Sequence, residues 1–186
     1  MTTTCITPET AVQVLANEPR LWPPQPPLDP GPRGVAIRVL VPGKATGYQY
    51  ACVETALGPK LLGPDPHLHH TLDELSLVLA GTLSVYVDGT VYEVPAGGMQ
   101  LRPAGLVHTF FNATDEPVRF ADMFFNQNFD EYLVEYFRIL EAGDRSPLGH
   151  GDPAIIRRFD ELDERFGVVM FHDQRQHFLE TYGLRG

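Results

Sequence analysis

Cysteine is nearly absent from this chain: two thiols, Cys5 and Cys52, in 186 residues. So few give no disulfide framework and no thiolate metal cage, and neither stands in a ligand-like setting, so reduced thiols in a cytoplasm are expected. Basic residues are also short, 14 Lys and Arg against 24 Asp and Glu, for a net charge of −10. A protein that binds phosphate backbones or anionic lipid needs a positive face, so nucleic acid and membrane are excluded as partners. No helix-turn-helix pattern adds a DNA-reading module. No apolar run approaches the ~20 residues that cross a bilayer. The start, Met1-Thr-Thr-Thr-Cys5, carries neither a basic nor an apolar signal region, so export is not expected.

What is present divides the chain by texture. Residues 1–34 hold eight of the 17 prolines, densest at Pro23-Pro24-Gln25-Pro26-Pro27, which predicts an irregular or polyproline arm after a short helix at 8–18. Trp22, between Leu21 and Leu28, is placed to anchor that arm on its own domain or on a second subunit. Residues 35–126 are short runs of β-branched and aromatic residues punctuated by Gly and Pro. Asp88-Gly89 is the strongest hairpin signal, joining Leu83–Val87 to Val91–Val94. After Asn126 the period becomes helical: Phe129, Leu133, Tyr136, Phe137 and Leu140 follow Asn128 and Glu131 in capping positions and stop at Gly143. Ile155, Phe159, Leu162 and Phe166 follow Asp152-Pro153 as a second helix, and a short third is expected over 173–182. Apolar content of 43% and this length suit one structural domain, with the helices of 127–186 packed on the β-rich part.

Two histidine-bearing segments carry the chemistry. Alternate residues of a strand share a face, so His67 and His69 aim both imidazoles at one point. Glu74 opens the next strand; if it faces inward, so do Ser76 and Val78, while Leu75, Leu77 and Leu79 face out. His108 likewise takes Phe110 and Asn112 to its own side, which predicts a mainly apolar pocket. His70 and Asp73 are expected in an exposed loop, and His150, His172 and His177 at the surface or in structural roles.

The segments read G-x3-H-x-H-x4-E-x6-G at Gly63, His67, His69, Glu74 and Gly81, and G-x5-P-x-G-x2-H-x3-N at Gly97, Pro103, Gly105, His108 and Asn112. These resemble the two cupin motifs at every fixed position. The resemblance implies a mainly β fold, a double-stranded β-helix or jelly-roll barrel, with His67, His69, Glu74 and His108 as metal ligands. One divalent transition metal is implied (Ni, Fe, Co or Mn, with Zn admissible), since donor softness and the stability order do not choose among them. Three neutral imidazoles and a carboxylate leave a divalent site near +1, with room for a substrate oxygen and dioxygen. The layout, one barrel followed by helices, is similar to quercetinase-like cupins, which implies flavonol 2,4-dioxygenase chemistry on a small aromatic substrate with O2. Glu74 is then the candidate catalytic base, and Tyr48, Tyr50, Ser76, Val78, Phe110, Phe124 and Phe125 are candidates for the substrate wall. Oxygen-independent isomerases or cyclases and non-catalytic binding modules share the same ligands and form the alternatives. Open sheet edges predict a homodimer.

Overall fold

The computed structural model describes residues 21–142 and 153–186. The helix expected at 8–18, the stop at Gly143 and His150 lie outside them. Two antiparallel sheets face each other. The first orders its strands β1 (Val35–Val41), β2 (Tyr50–Leu57), β10 (Val118–Phe125), β5 (Asp73–Ala80) and β8 (Met99–Arg102). The second orders β11 (Val168–Met170), β4 (His67–His69), β9 (His108–Asn112), β6 (Thr82–Val87) and β7 (Thr90–Pro95), with β3 (Leu61–Leu62) also on β9. The hairpin stands where its residues demand it: Asp88 (φ 43°) and Gly89 (φ 90°) both turn left-handed, as a two-residue turn between twisted strands requires.

Parity decides what fills the space between the sheets. On β5, Glu74, Ser76 and Val78 are buried, while Leu75 and Leu77 are half-buried and Leu79 is exposed. Below the histidines, Leu57, Val78, Leu83, Val85, Val118 and Phe120 form a closed apolar core. Burial of side chains this size contributes about 1.5–3 kcal/mol each, which makes this end the stable base of the barrel. At the other end the barrel residues Ala51, Val53, Leu72 and Phe124 meet the helices α1 (Phe129–Ala142) and α2 (Pro153–Phe166).

The helices differ in detail from the sequence pattern. Asn128 and Glu131 do pair at the start of α1, Nδ2 to Oε2 at 2.7 Å. Of the expected row, Phe129 is buried in the core and Leu133 and Tyr136 pack against it, whereas Phe137 and Leu140 lie half-buried outside it; Tyr132 and Ile139, which the pattern did not include, complete the buried stripe. The reason lies on α2: the Tyr132 hydroxyl donates to Asp163 at 2.7 Å, which turns that residue inward. A further difference is β11. Residues 127–186 were expected to be helical, yet Val168–Met170 joins the second sheet as a strand beside β4 before α3 (Arg175–Tyr182). The N-terminal arm is tied at Pro26, whose carbonyl accepts from Arg38 Nη2 at 2.8 Å, while Leu21 and Trp22 remain exposed. Among the described residues no helix is long and apolar enough to cross a membrane.

Candidate metal centre

The strand register places the histidines. β4 is three residues long, and its ends, His67 and His69, point into the barrel while Leu68 lies half-buried on the other side. β9 crosses beside it with His67 opposite His108. Glu74 enters from the facing sheet on β5. Between the strands the chain must pass close to β9 at Gly63, where a Cβ would meet the Phe110 ring at 2.4 Å; only glycine fits there.

The four side chains converge. One ligand atom from each of His67, His69, Glu74 and His108 lies within 4.8 Å of the others. His67 is 7% exposed and the other three 4% or less. Nδ1 of His67 lies 2.8 Å from the Asp65 carbonyl, and Nδ1 of His108 lies 2.9 Å from that of Leu106. A carbonyl only accepts, so each Nδ1 carries the proton and each Nε2 keeps a free lone pair. His69 Nε2 stands 2.9 Å from Glu74 Oε1, and His108 Nε2 stands 3.7 Å from Oε2. Both Nε2 atoms are buried without a hydrogen-bond partner. An orphaned buried polar atom is costly and rare, and two aimed toward one carboxylate are what a cation-binding site requires. The residues present therefore fit a divalent ion, and this cluster could hold one.

Electrostatics keeps His67, His108 and Glu74 in their ligating forms. Burial, with neighbouring His108 and His69, holds the His67 imidazole well below its usual range, and burial pushes His108 down to about 4. Burial alone would raise the Glu74 carboxyl, but Arg102 and the adjacent histidines outweigh it and hold the group well below the carboxylate range.

Arg102 is the residue that the sequence reading missed. It lies opposite Glu74 in the β5–β8 ladder and is completely buried. Its Nε and Nη2 each stand 2.8 Å from Glu74 Oε2, and Nη2 also donates to Asp122 Oδ1 at 2.8 Å. Ser76 donates to the same Asp122 oxygen. The interior beside the histidines, expected to be mainly apolar, thus carries a buried polar network of Arg102, Asp122 and Ser76. The one signal lay in the alternation of β8: Met99 and Leu101 face out while Gln100 and Arg102 face in, the reverse of an ordinary half-buried strand.

The remaining candidates separate cleanly. Phe124, opposite Glu74, faces inward and meets Phe129 at 5.0 Å between ring centroids. Phe129 in turn sets its ring edge-to-face on His69 at 4.8 Å and stacks on Tyr132 at 4.4 Å, so the first turn of α1 roofs the cluster. Val78 and Phe110 point inward but belong to the apolar base, with Phe110 against Phe120 at 5.0 Å. Asn112 is spent on the carbonyls of Leu57, Gly58 and Glu116. Tyr48 and Tyr50 are more than two-fifths exposed and, with Phe125 on the outer face of β10, lie away from the interior. His70, His172 and His177 are exposed, His172 also reaching Asp65 at 2.6 Å; Asp73, expected in an exposed loop, begins β5 and accepts from the Ala104 amide at 2.8 Å.

Comparison with known proteins agrees with this geometry. Residues 54–124, which contain all four converging side chains, match the cupin domain family. Those residues form a cupin domain. Solved structures similar to it include KdgF from Halomonas sp., 17% identical over 54% of this chain and 86% of that one, with a TM-score of 0.46. A cupin-superfamily sugar phosphate isomerase from Silicibacter pomeroyi is 28% identical over 48% of this chain and 59% of that one, TM-score 0.42. The polyketide cyclase RemF from Streptomyces resistomycificus is 22% identical over 50% and 66%, TM-score 0.45. No curated protein sequence matches the chain significantly.

Proposed function

We propose that this cupin is a metal-dependent enzyme for a small enolisable or phenolic substrate and, more finely, a ring-opening dioxygenase of the quercetinase type. The observation that carries the reading is the buried convergence of three imidazoles on a carboxylate, with Nε2 of His69 and His108 left without partners. A divalent transition ion held by His67, His69, Glu74 and His108 supplies Lewis acidity and open positions for a substrate oxyanion and for dioxygen.

The chain's own residues determine the rest. Arg102 occupies Oε2 of Glu74, which leaves Oε1, the oxygen that faces His69, free of the guanidinium. A carboxylate stabilised this strongly in its charged form is a weak base, so Glu74 acts here as a ligand and not as the base that the family resemblance suggests. Phe124, Phe129 and Leu72 exclude water around the cluster. In a second copy of the chain we see the natural cover for exposed Leu79, Met99 and Leu101 beside the open edge of β8, the support for a homodimer.

The deciding experiment is oxygen uptake by protein reconstituted separately with Fe, Ni, Co, Mn and Zn and offered quercetin. Uptake matched to loss of the flavonol band, and abolished by His69→Ala, supports the dioxygenase. Turnover of an enolisable substrate without oxygen moves the assignment to an isomerase or cyclase. Stoichiometric metal with no turnover of either kind leaves a binding module, and failure to bind metal refutes the reading.

A further inference from the structure

We propose that the C-terminal segment, outside the residues matched by the cupin family, positions His67 through a clamp centred on Asp65; this rests on the metal-site reading above. The strand that carries two of the ligands is held by the barrel at few points: besides one ladder pair, the Gly105 amide donates to the His69 carbonyl at 2.7 Å and the Thr109 hydroxyl to that of Pro64 at 2.6 Å. β4 shares a single residue pair with β9, His67 with His108. On its other side β11 pairs with it along its whole length: Val168 with His69, Val169 with Leu68 and Met170 with His67. Backbone bonds continue past both ends, from the His70 amide to Gly167 at 3.3 Å and from the Phe171 amide to Pro66 at 2.8 Å.

Asp65 adds the side-chain half of the clamp. It is 4% exposed, and a carboxylate buried that far needs compensating charge. Both side-chain partners come from the tail: Arg175 supplies the charge, with Nη1 at 2.5 Å from Oδ1, and His172 Nδ1 meets Oδ2 at 2.6 Å. The backbone carbonyl of the same residue accepts the Nδ1 proton of His67, which fixes both the tautomer and the rotation of that ring and leaves Nε2 to face the cluster. Tail, carboxylate, carbonyl and imidazole form one continuous chain of contacts. Loss of Arg175 would send the Asp65 carboxylate toward water and carry the carbonyl away from His67.

An ordinary structural tie would change stability without selecting this ligand, so the test reads ligand order directly. Full-length parent, Asp65→Asn, Arg175→Ala and Arg175→Lys are compared by chelator competition for Co2+ and by amide hydrogen exchange without metal. Removal of an outer-shell partner weakens metal affinity by about 10–100-fold, which is the loss expected for D65N and R175A, with partial recovery in R175K. In the metal-free proteins, exchange should rise in the segment 65–70 of R175A while the β5 and β10 amides keep their protection. Metal affinity within twofold of the parent in both D65N and R175A overturns the clamp. So does unchanged exchange at 65–70, a reading that holds even if the parent binds no metal and the functional assignment falls.

Discussion

Arg102→Met removes the one arginine or lysine that, among the described residues, binds both buried carboxylates, and keeps most of the apolar stem of the side chain. In the structure Glu74 is 4% exposed and Asp122 3%, and both depend on the one guanidinium. Breaking a buried pair by deleting one partner costs about 3–5 kcal/mol, because the remaining charge has neither water nor counter-ion. Here two like charges remain, relieved only by Ser76 at Asp122, so the metal-free variant should fall in that range. Against a typical total of about 5–15 kcal/mol this is a third or more of the stability. Urea unfolding of the metal-free protein measures it as a lower midpoint at constant slope. The companion variant Asp122→Asn should cost less, and the double variant should recover part of the loss, which gives a positive coupling in the cycle. Saturation with metal should shrink the R102M penalty, since the ion replaces the missing positive charge at Glu74. A metal-free R102M protein within about 1 kcal/mol of the parent, or strict additivity in the cycle, would refute the claim that Arg102 compensates both carboxylates.

Other expectations are simpler to check. Phe129→Ala should destabilise the protein by about 3–5 kcal/mol, the usual loss for a buried Phe, and should quicken metal removal by a chelator because the roof on His69 is gone; unchanged release would argue that α1 does not gate the cluster. Burial, with Asp122 and Glu54 nearby, raises the Cys52 thiol to about 11. In a Cys5→Ser background it should react with disulfide reagents at pH 8 on the order of a hundredfold more slowly than after unfolding. The folded thiol keeps its proton above the ordinary value of 9.0, so its contribution to stability is present below pH 9 and is lost as the pH rises toward 11. Sedimentation at micromolar concentration should show a dimer that Leu101→Glu dissociates; a monomeric parent would remove the proposed role of the β8 face.

The parts of this molecule legible in the sequence are those governed by local parity and spacing. His67, His69 and Glu74 declare their faces within eight residues, and the inward row Glu74-Ser76-Val78 follows from the two-residue period of a strand. Asp88-Gly89 is equally local. What escaped reading depends on partners distant in the chain. Arg102 looks like any strand-end arginine until β8 is laid beside Glu74 and β10 brings Asp122 to it. Tyr132 turns inward for Asp163 on another helix, and the buried face of α1 widens to include it. Val168–Met170 is too short to announce a strand, and its partner lies about a hundred residues earlier. Tyr48 and Tyr50 suited an aromatic wall by residue type, but their position before the buried part of β2 exposes them.

The brevity of β4 bears on how this chain tolerates change over time. With His67 and His69 at the two ends of a three-residue strand, Leu68 can be exchanged for another apolar residue of similar size, because only its packing is at stake. Insertion or deletion of one residue between Pro66 and His70 is another matter: it reverses parity and swings an imidazole to the far side of the sheet. This strand is therefore open to substitution and closed to any change of length, and variation by insertion is confined to places such as the Asp88-Gly89 tip, where no side chain depends on the count.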